Sequence, residues 1–191
     1  MFYDLSFPIE TARLIIRPYR PNDAVWYYKM CLKNKEHLSR YEANNPVMSI
    51  MTESDAKNTI EDFISLWDAQ KYRFIGVFLK DGDDFVAQIY LGKTNNDLPE
   101  FEIGYIADVD HEGNGYVTEA VSVIVKELFE KVGAHRIQIE TDDTNLRSIG
   151  VAERCGFVRE GHLRENKLNP DGSHTGTLIF GLLRIEYSVQ S

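Results

Sequence analysis

Residues 102–133 read EIGYIADVDHEGNGYVTEAVSVIVKELFEKVG, and this stretch decides the fold class. It belongs to a segment, Pro99–Asp108, in which Phe101, Ile103 and Tyr105 alternate with Glu102, Gly104 and Ile106, the pattern of a half-buried strand. Gly113-Asn114-Gly115 then forms a turn. Val117, Ala120, Val121, Ile124, Val125, Leu128, Phe129 and Val132 recur at helical spacing with a wide apolar face, and Gly133 stands where a helix stop belongs. Ile137 and Ile139 alternate with Arg136, Gln138 and Glu140 in a second strand. Strand, helix and strand in this order predict a βαβ crossover, because parallel strands need a long connection between them.

Working outward, Leu14-Ile15-Ile16 between Arg13 and Arg17 predicts a buried strand. Pro21-Asn22-Asp23 opens a helix to about Leu32, with Asn22 or Asp23 as its cap. Thr52-Glu53-Ser54-Asp55 resembles a capping box, ahead of a helix carrying Ile60, Phe63, Ile64 and Trp67 on one face. Arg73–Leu79 and Phe85–Leu91 flank Asp81-Gly82-Asp83-Asp84, a hairpin signal. Asn145 caps a short helix to about Cys155, ended by Gly156. A last hairpin joins Phe157–Leu168 to Thr175–Leu183 through Asn169-Pro170-Asp171-Gly172. The order is β-α-α-β-β-β-α-β-α-β-β, a mixed α/β fold. No linker, repeat or charge block interrupts it, so residues 1–191 read as a single domain.

Composition narrows the function classes. The chain is 43% hydrophobic, 27% charged and 12% aromatic, which excludes a disordered or collagen-like protein. Lys and Arg number 21 against 30 Asp and Glu, a net charge of −9. Nucleic-acid binding needs clustered cations, so that class is set aside, and cationic partners suit the surface better. The longest apolar stretches, such as Ala120–Val125 around Ser122, fall well short of the roughly 20 residues of a membrane span. MFYDLSFPIE has no basic stretch followed by an apolar run, so it is not read as a signal peptide. The expectation is a soluble cytoplasmic protein with no membrane partner. Cys31 and Cys155 read as free thiols, and Cys155 as a packing thiol without a His or Asn pattern around it. The five histidines, His37, His111, His135, His162 and His174, lack metal-ligand spacing, so no metal is expected.

The Gly-x-Gly turn at the head of a helix is the first chemical clue. Its glycines let a backbone approach a ligand closely, and a helix start offers N–H groups and positive dipole to a phosphate. The standard phosphate motifs do not apply, since Thr118 stands where a dinucleotide fingerprint needs Gly or Ala, and Tyr116 where a P-loop needs Lys.

The wider string is more specific. It runs Glu102–Ile106, Gly113–Ala120, Asn145-x-x-Ser148 and Glu153-Arg154-Cys155-Gly156-Phe157. It resembles the GNAT superfamily of acetyl-CoA-dependent N-acetyltransferases, and most of all the branch that acetylates ribosomal-protein N-termini at alanine or serine. Glu10–Pro18 and Glu160–Glu165 resemble that branch too, so the likeness spans about residues 9–187. The resemblance implies a mostly antiparallel sheet of about six to seven strands, splayed between two central parallel strands and flanked by about four helices. The parallel pair would be Glu102–Asp108 and His135–Thr141. It also implies that CoA pyrophosphate sits on the turn amides of Gly113, Asn114, Gly115, Tyr116, Val117 and Thr118. The pantetheine would pair with backbone near Ile106 and Ala107, and Asn145 would bond its arm. One departure is Glu112, where the family usually carries Gln or Arg. With Asp108 and Asp110 it would repel a pyrophosphate, and the reading taken is that all three carboxylates point to solvent.

Acetyl transfer needs a neutral amine, a stabilised oxyanion and a proton for the leaving thiolate. The Ile106 amide is placed to polarise the thioester. Glu102 matches a base in many members, with a salt-bridge or outward strand carboxylate as the alternative. Ser148 matches the serine proposed in this branch as proton donor to sulfur, with a helix-start contact as the alternative. Asn145–Cys155 contains no Tyr, which excludes a tyrosine acid there. Some relatives carry a catalytic glutamate near Glu165, but the nearest match is Lys167, so both read as surface residues. Trp26, Tyr27, Tyr28 and Trp67 lie on helices that flank the acceptor groove in this family, with core packing as the alternative.

The expected activity is transfer of an acetyl group from acetyl-CoA to an amine in a ternary complex, by a monomer or homodimer. The acceptor expected is the N-terminal α-amine of a ribosomal or other basic protein. A polyamine or aminoglycoside acetyltransferase and a non-catalytic CoA-binding module are the alternatives.

Overall fold

The computed structural model describes residues 5–43, 45–69, 72–95, 97–169 and 171–190. The strands are β1 (Ile9–Glu10), β2 (Leu14–Pro18), β3 (Tyr72–Leu79), β4 (Phe85–Asn95), β5 (Glu100–Ala107), β6 (Arg136–Asp142), β7 (Val158–Leu168) and β8 (His174–Leu183). The helices are α1 (Ala24–Leu38), α2 (Glu53–Asp68), α3 (Tyr116–Glu127), α4 (Leu146–Arg154) and α5 (Arg184–Gln190). The strands hydrogen-bond in the order β1-β2-β3-β4-β5-β6-β8-β7. β5 and β6 pair in parallel, whereas β1 with β2, β2 with β3, and β8 with both β6 and β7 are antiparallel. This is the mixed α/β fold expected. The counts rise to eight strands and five helices because β1 has two residues and α5 seven. Segments that short carry too little periodicity to stand out in a sequence.

The chain divides into two compact units. One comprises Ser6–Leu91 and Tyr105–Ala120. Its core gathers Tyr19, Tyr27, Met30, Cys31, Phe63, Phe78, Phe85 and Ile106, with Trp26 and Tyr28 packed against them. Aromatic rings meet edge-on here, as in Tyr19 against Tyr27 at 5.3 Å and Trp26 against Phe78 at 5.4 Å. Each such side chain contributes several kcal/mol through area and ring geometry. Trp26, Tyr27 and Tyr28 are therefore packing residues. α2 begins with the expected capping box, in which the Asp55 N–H donates to Thr52 Oγ1 at 3.2 Å and the Thr52 N–H to Asp55 Oδ2 at 2.8 Å. The hairpin between β3 and β4 places Gly82 and Asp83 at positive φ, as its turn sequence demands.

α1 departs from expectation. It runs to Leu38 rather than Leu32, after a tight turn at Pro21–Asp23, and neither Asn22 nor Asp23 caps it with a side chain. Asp23 is held by the Arg17 guanidinium at 2.7 Å, the Trp26 indole N–H at 2.9 Å and the Arg20 N–H at 2.7 Å. A carboxylate engaged three ways from one side is withdrawn from the helix N–H groups. The pattern past Leu32 hides because Asn34, a polar residue, is buried there.

The other unit includes Gly92–Gly104 and Val121–Ser191. Val121, Ile124, Val125, Leu128 and Phe129 are buried on the α3 face, as the spacing predicted. The helix closes in a wide turn over Leu128–Val132, and Gly133 ends it at φ +78°. β6 buries Ile137 and Ile139, and β8 buries Leu178, Phe180 and Leu182 on the same face by register. The last hairpin closes with the Asn169 N–H on the Ser173 carbonyl at 2.9 Å; Pro170 of the predicted tetrad lies outside the described residues.

Two features of β5 matter for function. It buries Phe101 and Ile103 and half-buries Tyr105, and Ile106 is buried in the aromatic core. The parallel ladder with β6 is short, comprising Glu100↔Arg136, Phe101↔Ile137 and Glu102↔Gln138. Ile103 and Gly104 lie past its end, in keeping with strands that splay.

Candidate functional site

Gly113 and Gly115 adopt φ +77° and +78°, a region in which side chains are strained. A Cβ at Gly113 would meet nothing within 4 Å, and one at Gly115 only the Arg13 Nη2 at 3.7 Å. The glycines therefore serve the backbone conformation, and the space in front of the turn is open. The Glu119 N–H reaches the Gly115 carbonyl at 3.0 Å as the helix begins. The Tyr116 and Val117 amides precede that bond, where a helix start turns its donors outward. Open space, two glycines and outward amides fit a phosphate group.

Of the three carboxylates ahead of this turn, Asp110 is exposed as expected, whereas Asp108 is buried and Glu112 is half-buried. Asp108 is 1% exposed. It accepts from Lys33 Nζ at 2.8 Å, from Asn34 Nδ2 at 2.8 Å and from the Asp110 N–H at 3.1 Å, with the His111 ring nitrogen at 3.0 Å. Asp110 shares Lys33 at 3.0 Å, and Glu112 meets His37 Nε2 at 3.0 Å. The physical reason is that α1 brings Lys33 and His37 up on one face, one turn apart. Burial alone would raise the Asp108 pKa, but hydrogen bonds from Lys33, Asn34 and His111 hold it below the usual carboxylate range. The negative charge that would repel a phosphate is therefore offset in part by Lys33. Sequence reading missed Lys33, Asn34 and His37, because no local pattern joins residues about 75 positions apart.

In the other unit, Glu102 lies on the same face as Gln138 by register. That face of β6 is polar: Gln138 Nε2 donates to Glu140 Oε1 at 3.0 Å, and Arg136 donates to Gln138 at 2.9 Å and to both Glu160 oxygens at 2.7 Å. Gly181 leaves room for that pair, since a Cβ there would collide with Arg136 and Glu160. The ion pair goes to Glu160, and Glu102 has a different environment. Its partial burial, followed by repulsion from Glu140, raises its pKa. A carboxylate so placed binds a proton more readily, as a general base must.

Asn145 caps α4, its Oδ1 accepting from the Ser148 N–H at 3.2 Å. The Ser148 N–H is thus the donor that this cap satisfies. Just ahead, Asp142 Oδ2 accepts from Thr175 Oγ1 at 2.7 Å, and Asp143 Oδ2 lies 2.8 Å from His162 Nε2. These bonds anchor the end of β6 to β7 and β8.

The remaining candidates are placed as follows. Ile106 is buried in the aromatic core, and Ala107 is half-buried at the end of β5. Cys31 is buried, which pushes its thiol up to about 12. Cys155 is half-buried with its sulfur 3.5 Å from Ser122 Oγ, and burial raises its pKa as well. Both thiols are poor nucleophiles. Glu165 and Lys167 are exposed on β7. Among the described residues no helix is long and apolar enough to cross a membrane, and no group of three or more His, Cys, Asp or Glu is arranged to hold a metal ion.

A profile of the acetyltransferase (GNAT) domain matches residues 13–158. Probable N-acetyltransferase YjcK of Bacillus subtilis (strain 168) is 28% identical over 158 residues, covering 82% of this chain and 87% of that protein. The ribosomal-protein-serine acetyltransferase of Escherichia coli (strain K12) is 25% identical over 138 residues, covering 72% and 75%. The solved structure of RimL, a ribosomal L7/L12 alpha-N-protein acetyltransferase in complex with coenzyme A, superposes with a TM-score of 0.82 at 15% identity, over 92% of this chain and 97% of that one. The last of these shows the fold alone. The profile covers most of the chain, including the glycine turn and the cap of α4, and with it the chain belongs to the GNAT acetyltransferase family.

Proposed function

We propose that this acetyltransferase moves the acetyl group of acetyl-CoA onto the N-terminal α-amine of a basic protein, in the manner of the ribosomal-protein branch, as a single cytoplasmic domain over residues 1–191. The observation that carries the acceptor is the likeness to a ribosomal-protein-serine acetyltransferase over 72% of the chain. The net charge of −9 supports it, since an acidic surface draws cationic peptides.

Acetyl-CoA supplies the activated thioester. Gly113, Asn114, Gly115, Tyr116, Val117 and Thr118 would hold its pyrophosphate, the outward amides meeting the phosphate oxygens. The backbone at Ile106 and Ala107 would bond the pantetheine amides, as one strand bonds another. The Asn145 Nδ2 group would donate to a carbonyl of the same arm while its Oδ1 keeps the cap. Glu102 would take the ammonium proton, and Ser148 would give a proton to the departing sulfur.

Ser148→Ala tests the last assignment. The cap from Asn145 Oδ1 to the Ser148 N–H involves the backbone and is kept in the variant. Turnover will fall by about tenfold or more while the KM for acetyl-CoA stays near wild type. Stability lost by about 1 kcal/mol with turnover intact would assign the hydroxyl to the helix instead.

The acceptor itself is tested with a panel. An α-amine titrates near 7.7–8.0 and a lysine near 10.4, so at pH 7 roughly a tenth of the former is already neutral. A site with one modest base favours the α-amine. Short basic peptides beginning with Ser or Ala will be acetylated at the N-terminus, as mass spectrometry will locate. The rate will fall as salt screens the acidic surface. Acetylated polyamines or aminoglycosides with untouched peptides would assign a small polycation as substrate.

A further inference from the structure

Arg13 has no place in the site as read from the sequence, yet it contacts the phosphate turn directly. Its backbone is fixed where the Lys80 N–H donates to the Arg13 carbonyl at 2.9 Å, so the side chain projects from the ordered start of β2. Its Nη1 donates to the Asn114 carbonyl at 3.0 Å, and the guanidinium carbon stands 4.6 Å from the Tyr116 ring centroid. Its Nε donates to Glu119 Oε2 at 2.7 Å, with Nη2 at 2.6 Å from the same oxygen. Glu119 is held from its other oxygen by the Thr11 hydroxyl at 2.5 Å and the Arg13 N–H at 3.2 Å.

The sense of these bonds matters. Arg13 takes the carbonyl of Asn114, and Asn114 Nδ2 takes those of His111 and Glu112 at 3.1 and 3.2 Å. All of these bonds take carbonyl acceptors of the turn, and none of them takes an N–H. The same fork ties down Glu119, a carboxylate in the first turn of α3 that would otherwise compete with a phosphate for the helix start. Burial alone would raise the Glu119 pKa, but the Thr11 and Arg13 bonds hold it lowered, and the carboxylate stays ionised within the clasp.

We infer that Arg13, locked to Glu119 and Thr11, is a positioning residue for the cofactor's phosphates: it orients the Gly113–Thr118 turn donors-outward and neutralises the carboxylate at the start of α3. This rests on the reading that the turn binds the CoA pyrophosphate. Lys33 is shared by Asp108 and Asp110 ahead of the turn, and Arg13 balances Glu119 after it.

The test compares CoA with acetyl-pantetheine, which carries the same reacting end but no phosphates. Arg13→Ala will weaken CoA binding by about tenfold or more in calorimetry. It will raise the KM for acetyl-CoA while leaving kcat at saturation near wild type. Turnover of acetyl-pantetheine will be unchanged. Arg13→Lys keeps the charge without the fork and will recover part of the affinity. If Arg13→Ala does not fold, Arg13→Lys and Glu119→Gln carry the test, each expected to weaken CoA binding about threefold. Unchanged CoA affinity in the folded variants overturns the inference, and so does an equal loss with acetyl-pantetheine. Wild-type protein that binds no CoA would instead overturn the cofactor reading, and this inference with it.

Discussion

Glu102→Gln will cut turnover by about 10²-fold near neutral pH, the ordinary contribution of a general base. It will also raise the melting temperature, and this double effect separates the base from a salt-bridge carboxylate. Burial and then repulsion from Glu140 raise the Glu102 pKa in the fold. A folded pKa above the unfolded one means that the ionised form costs the folded state free energy. That cost is absent below the unfolded pKa, grows as pH rises toward the folded pKa, and is constant above it. The stability gained by the Gln variant will follow the same course in thermal melts. The activity deficit will shrink at high pH, where the amine deprotonates without help. A pH-independent loss of activity, or a variant less stable than wild type, would make Glu102 a structural residue.

Gly115→Asp will abolish most of the stabilisation that acetyl-CoA confers. A ligand at about 100 times its dissociation constant adds roughly 2.7 kcal/mol, or about 5–10 °C in a chain of this size. The φ of +78° at Gly115 admits Asp with modest strain, and a Cβ there would stand 3.7 Å from Arg13 Nη2, an ordinary contact. The fold will therefore survive the change. The new carboxylate, however, faces the anion and can draw Arg13 away from Asn114. Gly115→Asn has nearly the same shape without the charge and will keep a larger share of the shift. Equal loss in both variants would point to backbone strain rather than electrostatics. A full shift with Gly115→Asp would remove the turn from the cofactor site.

Much of this architecture was legible before any coordinates. α3 was visible because its apolar residues repeat at helical spacing, and Gly133, read as its stop, ends it with a left-handed φ of +78°. The glycine turn, the capping box at Thr52, the cap at Asn145 and both hairpin turns were readable for the same reason. Each is a local device whose partners lie within a few residues. The site candidates Gly113, Gly115, Asn145 and Ser148 fall where those devices place them, at the starts of α3 and α4.

The failures share an opposite cause. The alternation in β5 gave no sign that Ile106 is buried as well, because the aromatic core around it is assembled from residues far away in the chain. α1 was cut short at Leu32 because Asn34 is buried for the sake of Asp108, 74 positions away. The same distance hid why three carboxylates are tolerated at a phosphate turn, and why Arg13 bears on it. The sequence by itself determined the family, the order of elements and the local turns, since these depend on neighbours along the chain. Only the tertiary structure decided the charge balance of the site. Lys33 meets Asp108 at 2.7 Å, and Arg13 meets Glu119 at 2.6 Å, across separations of 75 and 106 residues. Coulomb energy depends on distance in space, and distance in space is what folding creates.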